Sequence, residues 1–269
     1  MSRGAADAGQ ASRPAPSFPA RPAQPRLRVL AGPNGSGKST LQSELKPQWI
    51  GAFVNADEIE KALRATGGCL GLRELGVKGE PPAVLERIRG SFQTFGLGRR
   101  LDMPALLAGI TLDSELTLHV PGPWNSYLAA TLAEAVRREL RDEGRTFTFE
   151  TVMSHRSKID FMRETRARGY RVYLYFVATD DPAINIDRVR RRVLQGGHPV
   201  PEDKVIDRYH KSIALMAEAC EAAHRAYIFD NSGARHRLLA EVTDFDTLRL
   251  ESSVLNPWFL GTGLWRAFS

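Results

Sequence analysis

Two cysteines in 269 residues, Cys69 and Cys220, are too few and too far apart for a disulfide framework or a zinc site of the usual close spacing. Both read as buried, reduced thiols. No run of 18 apolar residues occurs, so no bilayer-spanning helix is expected. Dense Lys/Arg runs interleaved with aromatics are also missing, which removes the usual signature of a nucleic-acid surface. Charge of one sign is only slightly in excess: 37 Lys and Arg against 31 Asp and Glu give +6. Half of that sits in residues 1–26, where Arg3, Arg13, Arg21 and Arg26 face Asp7 alone. This Ala/Pro/Ser-rich segment has almost no large apolar side chains and reads as a flexible leader without the apolar centre of a secretory signal. These absences together lead us to expect a cytoplasmic protein with neither a membrane nor nucleic acid as its partner.

A 42% hydrophobic content is enough for a full core in one large domain or two small ones. Order is expected from the apolar run Leu27-Arg28-Val29-Leu30-Ala31. Directly after it come Gly32, Pro33, Asn34, Gly35, Ser36, Gly37, Lys38, Ser39 and Thr40, which match the Walker A pattern G-x-x-x-x-G-K-[ST] between a strand and a helix. Glycines let the loop turn its backbone N–H groups toward a phosphate chain, and the following helix points its positive end there. Lys38 is expected to reach the outer phosphates of ATP and Ser39 to ligate Mg²⁺.

A phosphate loop alone does not separate a kinase from a switch or a motor, so the other strand ends must. Ala52-Phe53-Val54 reads as a second strand ending in Asn55-Ala56-Asp57, expected beside the phosphate loop. There Asp57 is placed to accept a hydroxyl proton, and it also fits a helix N-cap. A periodic helix from about Tyr127 to Arg141 precedes a third strand, Thr146-Phe147-Thr148-Phe149, closed by Glu150 and Thr151. Asp57 and Glu150 then stand at neighbouring strand tips, one as base and one to hold substrate hydroxyls. His155 begins the next helix, where a helix-start role and a substrate contact are equally open. Residues 170–177 form a fourth strand, and Ala226-Tyr227-Ile228-Phe229 a fifth.

Between the last two lie two helical stretches split by Gln195-Gly196-Gly197-His198-Pro199-Val200-Pro201. Arg188 and Arg192 form an i,i+4 pair on the first, and Arg208 lies on the second. This hairpin, residues 181–217, is expected to close over the phosphates as a cationic lid. The predicted fold is a three-layer α/β/α P-loop kinase type with a mainly parallel five-stranded sheet and a helical lid, occupying 27–240. A largely helical, substrate-side insertion is expected over 60–125. Residues 241–269 form a C-terminal tail in which Phe245, Leu248 and Leu250 suggest an edge strand, and Trp258, Phe259, Trp265 and Phe268 an aromatic terminus.

Taken together, GPNGSGKST, FVNADEI, FETVMSH, GYRVYLYFVATDDP, RRV followed by GGH, and FDNSG make the chain resemble the zeta-toxin family of P-loop kinases from about Leu27 to Gly233. The resemblance implies ATP and Mg²⁺ as cofactors and phosphorylation of a hydroxyl of UDP-N-acetylglucosamine, with an antitoxin protein as restraining partner. It further implies Lys38 as the phosphate-loop lysine, Asp57 as general base, and Arg192 and Arg208 as lid arginines. Arg188 is expected on the ATP side. Glu150, with Asn55, Thr151 and His155 nearby, is expected on the substrate side. The long 60–125 segment and the residues after Glu150 depart from the founding toxins, leaving open acceptors such as another nucleotide, NAD or a polynucleotide. A non-kinase ATP-dependent switch is the remaining reading, although no D-x-x-G or ABC-type signature follows the phosphate loop.

Overall fold

The computed structural model describes residues 24–95, 103–197 and 199–269, so most of the expected leader and His198 lie outside the described residues. In chain order the elements are β1 (Arg26–Ala31), α1 (Lys38–Glu44), α2 (Pro47–Ile50), β2 (Ala52–Val54), α3 (Ala56–Thr66), β3 (Cys69–Gly71), α4 (Pro81–Phe95) and α5 (Met103–Gly109). Then come β4 (Thr111–Leu112), β5 (Thr117–His119), α6 (Ser126–Asp142), β6 (Phe147–Thr151), α7 (Ser157–Ala167), β7 (Arg171–Ala178), α8 (Pro182–Leu194) and α9 (Glu202–Ala222). The chain closes with β8 (Arg225–Asp230), β9 (Arg237–Thr243), β10 (Thr247–Leu250), α10 (Pro257–Leu260) and α11 (Gly263–Phe268).

The main sheet has seven strands in the order β10-β9-β8-β7-β1-β6-β2. Five of them, β2, β6, β1, β7 and β8, are parallel, as expected for strands joined by helical crossovers. The five-strand expectation falls short by the antiparallel ribbon β9–β10, which extends the sheet beyond β8. Its strands mix charge with apolar residues (RLLAEVT, TLRL), and only part of this was visible as the Phe245–Leu250 alternation. Within 60–125 the helices α4 and α5 are joined by a small antiparallel sheet, β3-β5-β4, whose two- and three-residue strands are too short to show a period.

The larger core lies on one face of the main sheet. Phe147 and Phe149 of β6 point into it, and both rings meet Phe161 of α7 edge-to-face, at 6.3 Å and 5.8 Å between centroids. Both are fully buried, which places the start of β6 under α6 and α7 and leaves its half-buried last residues at the carboxyl end of the parallel strands. The α6 terminus is tied down as well: the Tyr170 hydroxyl, with one proton to donate, lies 2.9–3.1 Å from the carbonyls of Leu140, Arg141 and Arg145. On the opposite face a smaller cluster of Leu30, Leu41, Tyr175 and Val177 sits beneath α1. In the tail, Phe259 is buried and Trp258 Nε1 donates to Asp230 Oδ1 at 3.1 Å, so the aromatic terminus packs against the end of β8.

One cysteine departs from expectation. Cys220 is buried, but Cys69 is half-buried, because β3 alternates with only Leu70 facing inward.

Under α6 lies an ion cluster. Glu134 accepts from Arg137, from Arg138 Nε at 3.2 Å and from Lys158 Nζ at 2.9 Å, while Arg137 stacks 4.6 Å from the centre of the Phe149 ring. Burial alone would raise the Glu134 carboxyl, but Arg137 and Lys158 outweigh it and bring it from 4.5 to about 2. A carboxyl lowered on folding contributes stability above its unfolded value and loses it as pH falls through the folded one. Denaturant unfolding should therefore show stability declining from about pH 4.5 toward pH 2. Glu134→Gln should flatten that decline while costing about 3–5 kcal/mol near neutrality by leaving Arg137 buried without its counter-charge.

Candidate phosphate-binding and transfer site

The site forms at the carboxyl ends of the parallel strands, where loops gather in open α/β sheets. Residues 32–37 leave β1 and wrap the start of α1. Ser36 N–H donates to Pro33 O at 3.2 Å and closes the turn. Gly37 has φ +97°, and a Cβ there would come within 2.1 Å of Asn231 Nδ2. Asn231, in the loop after β8, donates to Ser36 O at 2.7 Å. Glycine at 37 is thus demanded both by the dihedral and by the asparagine pressed against it. On the other flank Asn185 of α8 donates to Asn34 O at 2.6 Å.

Lys38 is buried at the first position of α1. Its Nζ donates to Gly32 O and Pro33 O, each at 3.0 Å, and lies 3.5 Å from Glu150 Oε1. Burial pushes the ammonium's pKa down and the Glu150 carboxylate pulls it back up, with smaller opposing effects from Arg192 and Asp57. Both of those predicted residues are therefore close enough to act on the lysine. Glu150 collects more of the site: Ser39 Oγ and Asn55 Nδ2 each donate to its Oε2 at 3.4 Å.

The sheet order explains this convergence. β6 pairs with β1 on one side and β2 on the other, so Glu150 stands between the phosphate loop and the Asn55–Asp57 corner. Asp57 and Glu150 are at neighbouring strand tips, as expected, but the place directly beside the phosphate-loop strand belongs to Glu150. The N-cap reading of Asp57 also needs correcting. Asn55 is the cap of α3, its Oδ1 accepting from Asp57 N–H at 2.8 Å, and Asp57 sits in the first turn with an exposed side chain.

The remaining predicted residues divide. Arg208 Nη1 donates to Asn34 Oδ1 at 3.4 Å, which brings α9 onto the loop. Arg188 donates to Asn231 O at 2.8 Å and Gly233 O at 3.3 Å, bracing the loop after β8. Thr151 Oγ1 accepts from the N–H of Met153, a buried residue at φ +54°. His155 Nδ1 lies 3.0 Å from Ser157 Oγ and accepts from Ser157 N–H at 3.2 Å, so in this structure its contacts are those of a helix start. Thr40 is exposed in the first turn of α1.

Sequence reasoning missed Asn185, Asn231 as a loop contact, and His236, whose Nε2 lies 3.1 Å from Gly37 O. Their signal was weak: Asn185 and His236 stand outside any motif, and Asn231, though within FDNSG, is recognisable as a loop contact only by what it touches. As for a metal, no group of three His, Cys, Asp or Glu side chains is arranged to hold one among the described residues. The Ser39 hydroxyl beside the Glu150 carboxylate is nonetheless an all-oxygen pair that suits Mg²⁺, which keeps several waters and takes few protein ligands.

A glycine-bearing loop between a parallel strand and a helix, with its lysine buried at the helix start, makes this a three-layer P-loop protein of the kinase type. Residues 126–238 match the family model described as Zeta toxin, and over that stretch the chain is similar to this family. That stretch carries Glu150, Thr151, His155, the three arginines and Asn231, while the phosphate loop precedes it. A protein of Haemophilus influenzae described as uncharacterized is 35% identical over 63 residues, covering 23% of this chain and 45% of that one. Among solved structures, a chain of the AvrRxo1-ORF1:-ORF2 complex with ATP is similar with a TM-score of 0.47 and 14% identity over 85% of this chain and 61% of that one. A chain of the PezAT chromosomal toxin-antitoxin system of Streptococcus pneumoniae gives 0.44 and 15% over 81% and 72%. The chain thus spans less than two thirds of the curated relative and of the AvrRxo1 chain.

Two glycines with similar dihedrals separate strain from space. Gly67, the C-cap of α3 at φ +70°, has nothing within 4 Å of a Cβ, whereas Gly37 has Asn231 at 2.1 Å. Gly67→Ala should cost only the left-handed penalty, about 1–2 kcal/mol. Gly37→Ala should cost more in denaturant unfolding and, in a double-mutant cycle, couple to Asn231→Ala by about 0.5–3 kcal/mol.

Proposed function

We propose that the protein is an ATP-dependent phosphotransferase with an alcohol group as acceptor, acting on a hydroxyl of a nucleotide-sugar such as UDP-N-acetylglucosamine. The observation that carries the reading is the convergence of Lys38, Ser39 and Asn55 on Glu150, with Asp57 two residues beyond Asn55. A motor or switch needs the lysine and the serine; an aspartate on the next strand tip has its natural use in taking a proton from an acceptor.

In this mechanism the backbone N–H groups of residues 34–39 cradle the phosphates of ATP, and Lys38 leaves the Gly32 and Pro33 carbonyls for the outer phosphate oxygens. Ser39, with Glu150 behind it, is where Mg²⁺ would be held, and when bound it would offset the negative charge of the phosphate oxygens. Asp57 takes the proton of the acceptor hydroxyl as its oxygen bonds to the γ-phosphorus. The bond from that phosphorus to the bridging oxygen breaks, and ADP leaves with the electron pair. Arg192 and Arg208 face the charge spread over the transferring group, and Arg208 reaches it by exchanging the Asn34 amide for phosphate oxygens. Asn55, Glu150, Thr151 and His155 line the acceptor side. Arg188 acts from the ATP side through the loop it braces. The reading includes work in the cytoplasm and restraint by an antitoxin protein, in keeping with the Zeta toxin model that residues 126–238 match.

The test is mass spectrometry of a metabolite extract incubated with protein and ATP, and of UDP-N-acetylglucosamine alone. The wild type should yield a species heavier by one phosphate. Asp57→Asn should lower its rate by at least about 100-fold, in the range for removal of a general base, while ATP still binds. ATP hydrolysis with no phosphorylated acceptor in any extract would instead identify a switch.

A further inference from the structure

Away from the phosphate loop, the small β3-β5-β4 sheet carries a thiol, an imidazole and a carboxylate in line. β3 and β5 run antiparallel with Cys69 directly opposite His119, and β4 leads into the turn that holds Asp113. Opposed residues in such a pair have Cβ atoms about 4.5–5.5 Å apart, near enough for a short cysteine to meet an imidazole. Cys69 Sγ lies 3.5 Å from His119 Nδ1, and His119 Nε2 lies 3.4 Å from Asp113 Oδ2.

The carboxylate is itself fixed. Asp113 Oδ1 accepts from Thr117 N–H at 2.8 Å and Glu115 N–H at 2.9 Å, leaving Oδ2 for the ring. These bonds, that of Thr117 foremost, hold the Asp113 carboxyl below its ordinary range. An ionised carboxylate only accepts, so the nitrogen facing it carries the ring proton and Nδ1 turns a lone pair toward sulfur. That order of donors and acceptors is what a general base beside a thiol requires. The two contacts use opposite edges of the ring, so the groups form a relay and do not converge on one point as a metal cage would. The side chains are open to reagents: Cys69 is half-buried, His119 47% exposed and Asp113 43%.

We propose that Cys69 is a modification site, a nucleophilic thiol that exchanges with small disulfides, with His119 as its base and Asp113 as the positioning residue for His119. His119 Nδ1 takes the thiol proton as Cys69 Sγ attacks one sulfur of the disulfide. A new S–S bond forms, the old one breaks, and the departing thiolate takes the proton from the imidazolium. One disulfide enters, and one mixed disulfide and one thiol result, with no other oxidant. Cys220 stands outside this chemistry, sealed in the core where burial raises its pKa. The site is also separate from phosphate transfer. Asp57 and Cys69 lie toward opposite ends of α3, whose 11 residues span about 16 Å.

The experiment uses the full chain with oxidised glutathione at pH 7, followed by intact mass and peptide mapping. One glutathione per chain is expected, on Cys69 and not on Cys220. His119→Ala should slow the reaction by at least about tenfold, less than is usual for loss of a general base because a free thiol is already partly ionised at pH 7, and added imidazole should restore the rate in that variant while leaving the wild type unchanged. His119→Gln, which keeps a hydrogen-bonding side chain but no base, should be as slow and serves if the alanine variant does not fold. For Asp113, nitrogen NMR of the His119 ring should find the proton on Nε2 in the wild type and redistributed toward Nδ1 in Asp113→Asn. Equal rates in wild type and both His119 variants, or glutathione on Cys220 in place of Cys69, would overturn the proposal, whatever the outcome for phosphate transfer.

Discussion

A buried ammonium must have a counter-charge, and the arrangement of the site follows from how Lys38 obtains one. Its burial disfavours the charged form, and two carbonyls of its own loop cannot neutralise a full charge. Glu150 does so from the neighbouring strand, which fixes β6 beside β1 and obliges the Asn55–Asp57 corner to lie one strand further out. The hydrophobic core serves the same end. Phe147 and Phe149 are held between α6 and α7 by edge-to-face contacts with Phe161, and the residue after Phe149 is the carboxylate that must meet the lysine. A change in that packing is therefore felt at the phosphate loop through a single backbone step.

Much of this was legible in the sequence because it rests on local pattern. The phosphate loop announces itself through glycine spacing, the parallel strands through short apolar and β-branched runs, and α6 through its periodic stripe, found at Ser126–Asp142 where Tyr127–Arg141 was read. Arg188 and Arg192 drew notice because charged residues at i,i+4 stand out on a helix, and α8 does carry both. What escaped had no period to betray it. β3, β4 and β5 are two or three residues long, and β9 and β10 carry charges on a sheet edge where polar residues are at home. That Glu150, and not Asp57, ends the strand next to the phosphate-loop strand was hidden for a topological reason, since strand order cannot be read from strand content. The assignment of the α3 cap failed for a local one: Asn55 and Asp57 are both good capping residues, and only the backbone shows that the asparagine holds the extended dihedrals of a cap.

The amides deserve equal weight with the charges. Asn34, Asn185 and Asn231 connect the phosphate loop to α8, α9 and the loop after β8, each through one or two hydrogen bonds to backbone or side chain. Neutral amides suit this work because they fix position without adding a charge to a site whose ligand is an anion. Arg188 completes the frame by holding the carbonyl of the same Asn231 whose side chain holds Ser36.

That frame has a thermodynamic corollary. Because α9 already rests on Asn34 through Arg208, part of the entropy of ordering that arginine beside the phosphate loop is spent when the chain folds and is not charged again at each binding event. Arg208 keeps its full charge in that bond, because the Asn34 oxygen accepts from the guanidinium without neutralising it. The asparagine in this sense parks a cation at the phosphate loop while leaving its charge uncancelled.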